Sequence, residues 1–248
     1  MCSLGVATHT GRTDSHRHGS AATVCRLDLD GVAGLPEHAP YDRVIATCAV
    51  SRVPWSWAEQ TTEGGLILAD LKVDACVGNL VLLRRQHDRL EGRFDAGYAT
   101  FMHMRTPAFH VEPQAGSARH RDDARQRTTT LADERIWENL PLWFLVHLQQ
   151  RGRVGFGYAM DPETGGPGAV FFTSQDGSWC ELSTAAADGT RQVWESGPGQ
   201  LWADIETAMD CWHQQGEPGW DRFGLTVTPH QHTVWLDTPE SGHHWPVR

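Results

Sequence analysis

Short apolar runs and period-two alternation, not a helical period, organise the chain before residue 105. Residues 41–50, Y-D-R-V-I-A-T-C-A-V, follow the loop P-E-H-A-P and run into small and β-branched side chains. That continuous apolar segment predicts an interior strand covered on both faces, as in parallel sheets. A short helix is predicted over 53–60 with Pro54 in its first turn, closed by Glu63-Gly64-Gly65, and a second strand over 66–71. Strand, helix and strand in that order make one βαβ crossover. Extended runs over 78–84 and 92–104, joined by the turn-like His87-Asp88-Arg89, predict an antiparallel pair at the sheet's edge. Upstream, residues 1–22 show neither period and are expected to be poorly ordered. Residues 23–27 predict a short strand that ends in a turn at Leu29-Asp30-Gly31.

Beyond residue 105 the pattern changes. Residues 106–132 include P-Q-A-G-S-A-R-H-R-D-D-A-R-Q-R-T-T-T, which has almost nothing to bury and reads as a linker or long exposed loop. Residues 133–248 read as a second domain. An apolar helical stretch over 136–148 precedes short strands at 154–160, 169–173, 178–182 and 191–194, an antiparallel meander. The clearest helix follows Gly197-Pro198-Gly199, with Leu201, Trp202, Ile205, Ala208, Met209 and Trp212 on one stripe. Two last strands, 223–228 and 233–237, turn through Pro229-His230-Gln231-His232.

The size, 248 residues with 40% hydrophobic and 21% charged, suits a globular protein of one large domain or two modest ones. A formal net charge of −10 argues against broad binding to phosphate backbones or anionic lipid, so neither nucleic acid nor membrane is expected as a partner. The six cysteines are scattered without a C-x-x-C pair and read as reduced thiols. With no signal-like apolar region at the start and no run of about 18 apolar residues, the expected location is cytoplasmic.

Fourteen histidines raise a metal hypothesis, but His16-x-His18, His230-x-His232 and His243-His244 have no partner cluster at metal-ligand spacing, so none is expected. His230 and His232 are placed at a hairpin tip, in solvent. No G-x-S-x-G is present, and Gly152-x-x-Gly155-x-Gly157 lies in a strand-like run and not at a strand-to-helix turn. Two features remain. Asp30-Gly31 is either an Asx turn or a carboxylate placed to accept from an amine such as the exocyclic group of an adenine. Thr47, Cys48, Ala49 and Val50 end an interior strand where α/β sheets bind ligands, and Cys48 there is either a buried thiol or part of the site.

The segments L-D-G-V-A-G-L-P (29–36), Y-D-R-V-I-A-T-C-A-V (41–50), V-P-W-S-W-A-E-Q-T (53–61) and G-G-L-I-L (64–68) together resemble the second half of the catalytic domain of protein-L-isoaspartate O-methyltransferases. D-G-S-W (176–179), G-P-G-Q-L-W and R-F-G-L-T-V-T-P followed by V-W-L-D are similar to the C-terminal extension of members that act in peptide maturation beside ATP-grasp or lanthipeptide enzymes. The resemblance implies an α/β fold: the C-terminal half of a Rossmann-like methyltransferase sheet, over residues 23–105, followed by a smaller α+β antiparallel domain. It implies S-adenosylmethionine as methyl donor and an aspartyl or isoaspartyl carboxylate of a peptide or protein as acceptor. By position, Asp30 and Gly31 would meet the cofactor, and Thr47, Cys48, Ala49 and Val50 would face the substrate. Leu29 stands where the family usually has a first glycine. No catalytic residue is assigned.

The family's Gly-rich loop, its ribose-holding acidic residue and its hydroxyl-bearing segment lie upstream of the matched part. The expectation is therefore an N-terminally truncated version with weak cofactor binding and sheet surface that a partner would cover. The alternatives are a non-catalytic module that binds a precursor peptide and a half-enzyme completed by a separate chain.

Overall fold

The computed structural model describes residues 4–7, 31–74, 76–104, 121–131, 135–150 and 153–247. The predicted crossover is present. Strand β1 (Leu4–Ala7) lies antiparallel on β2 (Tyr41–Val50), and β2 leads through helix α1 (Trp55–Glu59) into the parallel strand β3 (Thr61–Asp74). Val44 faces Ile67 and Ile45 faces Leu68 in this pair. Strands β4 (Val77–Arg85) and β5 (Leu90–Phe94) follow as antiparallel hairpins.

Three expectations change here. Leu4–Ala7 is a strand within a segment expected to lack order; it needs no hydrophobic period, because β2 offers its backbone groups along an open edge. Gly64-Gly65 is not a turn before β3 but a bulge inside it, where the register steps from Tyr41 facing Thr61 to Arg43 facing Leu66 and Gly64 takes φ of 76°. The strand expected to be covered on both faces is covered on one, since Ile45 is 44% exposed beside Leu68 and a Leu82 that is 49% exposed. The strand predicted over 23–27 lies outside the described residues.

A second compact unit spans residues 111–217. Strand β6 (Arg125–Thr129), helix α2 (Leu140–Gln149), strands β7 (Val154–Met160), β8 (Pro167–Ser174), β9 (Trp179–Ala187), β10 (Thr190–Ser196) and helix α3 (Leu201–Gln214) form it. Its antiparallel sheet runs β6-β10-β9-β8-β7. Asn139 caps α2 by accepting the N–H of Leu142, and residues 142–148 of that helix are all buried, as for a helix surrounded by core. On α3, Leu201, Trp202, Ile205, Ala208 and Met209 are buried, while Trp212 is half-buried at the stripe's end. Strand β6 corrects the linker reading of 106–132. Its pattern R-Q-R-T-T hides no apolar face because its side chains are held by ion pairs, Arg125 and Arg127 with Glu195 and Arg127 with Glu206.

The chain then returns to the first unit, which comprises residues 1–110 and 218–248. Strands β11 (Phe223–Val227), β12 (His232–Leu236) and β13 (His244–Pro246) complete a sheet of order β1-β2-β3-β4-β5-β11-β12-β13. This corrects the domain boundary, since 218–248 does not belong with 133–217. It also makes β5 interior, with Leu225 facing Gly92 and Val227 facing Leu90. A β5 edge left open by the β4–β5 hairpin is the physical reason, for it takes a strand by backbone pairing that hydrophobic pattern alone does not signal.

Candidate functional site

The end of β2 departs from regular pairing. Ile45 faces Leu68 but Ala49 faces Asp70, so β2 advances from 45 to 49 while β3 advances from 68 to 70. The resulting bulge breaks the in–out alternation, and Cys48, Ala49 and Val50 are consecutively buried. The neighbouring segment returns along this end: Ala49 N–H donates to the carbonyl of Met102 at 2.8 Å and Met104 N–H donates to the carbonyl of Ala49 at 2.7 Å.

That segment is held from below by two buried charges on β3. Asp70 Oδ2 accepts the N–H of Phe101 at 2.7 Å, Lys72 Nζ donates to the carbonyl of Phe101, and Lys72 Nζ stands 3.6 Å from Asp70 Oδ2. Burial pushes the Asp70 carboxyl above its ordinary range, against the N–H of Phe101 and the nearby Lys72 and His103.

A cavity of about 280 Å³ opens at this strand end, lined by Ala49, Val50, Arg52, His103 and His232 among others. Its wall joins the end of β2 to the β11–β12 turn at Thr228 and Pro229 and to the first residue of β12, His232, whose Nε2 accepts the N–H of Val53 at 2.9 Å. The same Nε2 lies 3.2 Å from the Val53 carbonyl, so the Val53 main chain engages that nitrogen in either tautomer, and Nδ1 is buried without a partner among the described residues. Burial first, and then the Arg52 guanidinium, lower the His232 pKa to about 4. Arg52 donates one N–H to the carbonyl of Val247 at 3.0 Å, and a guanidinium has five such donors in a fork that matches a carboxylate. Among the described residues, no Asp or Glu lines the cavity. The donor set suits an anionic oxygen acid.

The residues singled out in the sequence separate. Ala49 and Val50 line the cavity; Cys48 is buried away from its lining and Thr47 is exposed. Asp30 lies outside the described residues. Gly31 does not line the cavity; its carbonyl accepts Trp57 Nε1–H at 2.7 Å, and a Cβ there would come within 3.1 Å of Met104 Cε. Arg52, His103 and His232 were not anticipated. His232 corrects its placement in solvent, for it is 4% exposed and opens β12. The signal was present in H-T-V-W-L, where His232 shares the inward phase of Val234 and Leu236.

Adenine, ribose and sulfonium groups call for carboxylate or carbonyl partners, and the described residues of this cavity supply cationic and N–H donors instead. Among the described residues they fit an anion and not S-adenosylmethionine. Among the described residues, no three His, Cys, Asp or Glu side chains converge as a metal would need, and no helix is long and apolar enough to cross a membrane.

Residues 9–96 match the family model of protein-L-isoaspartate(D-aspartate) O-methyltransferases. A protein-L-isoaspartate O-methyltransferase of Parvibaculum lavamentivorans is 39% identical over 71 residues, 29% of this chain and 30% of that protein. One from Thermotoga maritima is 40% identical over 57 residues, 23% of this chain and 16% of that protein. The chain thus spans less than a third of the length of either relative. A solved protein-L-isoaspartate O-methyltransferase aligns over 84% of this chain and 58% of that one with TM-score 0.38 and 18% identity.

Proposed function

We propose that the first unit is the acceptor-binding part of a methyltransferase-like fold of the protein-L-isoaspartate O-methyltransferase kind, and that its cavity receives the side-chain carboxylate of an aspartyl or isoaspartyl peptide. The observation that carries this reading is the donor set at the end of β2, Arg52 with His103 and His232, with no acidic residue among the described lining. The family match over 9–96 includes β2, α1 and β3, the elements that place Ala49, Val50 and Arg52.

A carboxylate is already nucleophilic, so the protein's task is to fix the oxygen's direction and keep water from it. Arg52 supplies charge-assisted N–H bonds, worth about twice a neutral one. His232, neutral at physiological pH, adds no second positive charge to the wall. Asp70 and Lys72 hold the Phe101–Met104 segment, and with it His103, against β2. In the family S-adenosylmethionine supplies the methyl group; the described residues assign no holder for it. Action on a ribosomally made precursor peptide belongs to the same proposal and rests on the sequence resemblance.

The test is calorimetric titration of the full chain with an isoaspartyl peptide and with the same peptide carrying the side-chain amide. The acid should bind at least about tenfold more tightly than the amide, and Arg52→Ala should remove most of that difference. Equal binding of acid and amide would overturn the assignment.

A further inference from the structure

The second unit has two unlike sheet edges. The β6 edge carries Arg125 and Arg127, charges of the kind that guard a strand against unwanted pairing. The β7 edge, V-G-F-G-Y-A-M, carries no charge along its length. On one face of β7, Phe156, Tyr158 and Met160 are 42%, 45% and 59% exposed. Trp137 stacks on Phe156 at 4.5 Å between ring centroids and meets Tyr158 edge-on at 5.8 Å, which makes an aromatic shelf beside an edge that no second strand pairs among the described residues. Gly157 is kept small from within the sheet, since a Cβ there would meet the Phe171 ring at 2.5 Å.

The residues that bracket β7 carry opposite charges, Arg153 before it and Asp161 after it. Asp161 is half-buried, and the N–H of Glu163 and the hydroxyl of Thr164 hold its carboxyl below the usual range, so it is ionised. Place a second β7 antiparallel to the first about a two-fold axis at Gly157. Phe156 then faces Tyr158, Val154 faces Met160 and Arg153 faces Asp161 of the other copy, and each pair occurs twice. Aromatic opposes aromatic, apolar opposes apolar, and cation opposes anion. This register is set by the sequence's own symmetry about Gly157.

We propose that β7 is a homodimerisation edge, at which two copies of this chain join their antiparallel sheets through β7–β7 pairing centred on Gly157. The arrangement is isologous, as closed two-fold dimers require. The backbone groups of the open edge supply affinity, and the Phe156–Tyr158 and Arg153–Asp161 pairs fix the register. A second copy is favoured over a foreign peptide strand because both ends of β7 are charge-complementary to β7 itself.

Sedimentation velocity of the full chain over a dilution series tests this, with circular dichroism to confirm that each variant is folded. The chain should show a concentration-dependent dimer. Tyr158→Lys, at an exposed position, should weaken it roughly tenfold. Arg153→Glu and Asp161→Lys should each weaken it, and the double variant, which restores opposite charges across the axis, should recover dimer strength relative to either single change. A chain that stays monomeric throughout, as a peptide-binding edge would leave it, overturns the proposal. So does a dimer unmoved by Tyr158→Lys, or a double variant no tighter than the single ones.

Discussion

The N–H of Val53 donates to Nε2 of His232 at 2.9 Å, a bond between residues 179 apart in the sequence that ties the segment before α1 to the first residue of β12. Because His232 is buried and beside Arg52, its pKa falls from 6.5 to about 4. Between those values the unfolded chain binds a proton that the native state refuses. Stability is therefore full above about pH 6.5 and declines as pH falls toward 4, by an amount on the order of 3 kcal/mol. His232→Gln retains an acceptor for Val53 but does not titrate. Urea unfolding at pH 7 and pH 4.5 should show a smaller acid loss for the variant than for the wild type; equal losses would place the acid sensitivity elsewhere.

Asp70 and Lys72 hold both main-chain polar groups of Phe101 from inside the sheet. Asp70→Ala would leave the Phe101 N–H without its acceptor and Lys72 buried without its counter-ion. Breaking a buried pair in this way costs about 3 kcal/mol. Asp70→Asn should cost less, since an amide oxygen can still accept from Phe101. Denaturant midpoints rank the variants, and exchange of the Phe101 amide locates the effect: it should quicken in Asp70→Ala more than amides of β4 do. Uniform quickening would mean global destabilisation and not release of the 101–104 segment.

Much of the fold was legible where a residue's neighbours share its pattern. Tyr41–Val50, Leu66–Leu71 and the Leu201–Met209 stripe declare themselves because burial on one face repeats every two or three to four residues. Arg125–Thr129 did not, because a strand whose side chains are satisfied by Glu195 and Glu206 looks in sequence like solvated loop. The return of 223–246 to the first sheet was hidden for another reason: strand pairing is a backbone property, and which open edge a strand joins is not written in its own residues. The site divides in the same way. Ala49 and Val50 follow from strand phase, while Arg52, His103 and His232 come together only once three distant segments meet.

Glu206 ties strand β6 to helix α3. Its Oε1 accepts from Thr129 Oγ1 at 2.6 Å and from Trp202 Nε1 at 2.9 Å, and its Oε2 accepts from Arg127 at 2.7 Å. Three donors on one carboxylate hold an edge strand that has no apolar face to hold it otherwise. Glu206→Ala strands a buried indole N–H and a buried hydroxyl and should cost about 2 kcal/mol. Hydrogen exchange should quicken first in residues 125–129. If β6 amides stay as protected as those of β9, the carboxylate is not what fixes the strand.

At Asp237 two effects oppose one another and can be separated. Its carboxylate takes a two-pronged grip from Arg222, Nε to Oδ1 at 2.7 Å and Nη2 to Oδ2 at 2.8 Å, which holds its pKa below the ordinary value. Its backbone has φ of 63°, a left-handed conformation that a residue with a Cβ adopts at a cost. The pair is about half exposed, so solvent screening limits its contribution to less than about 1 kcal/mol. That contribution is present above the unfolded carboxyl's pKa and is lost as pH falls through the lowered native value. Asp237→Ala loses the ion pair and keeps the strain, whereas Asp237→Gly loses the ion pair and removes the strain. The glycine variant should therefore unfold at higher urea than the alanine variant, by about 1 kcal/mol near neutral pH. The two variants should also share a flatter acid response than the wild type, because neither can titrate at 237. An alanine variant as stable as the glycine one would show that the turn relaxes out of the left-handed region once Arg222 lets go.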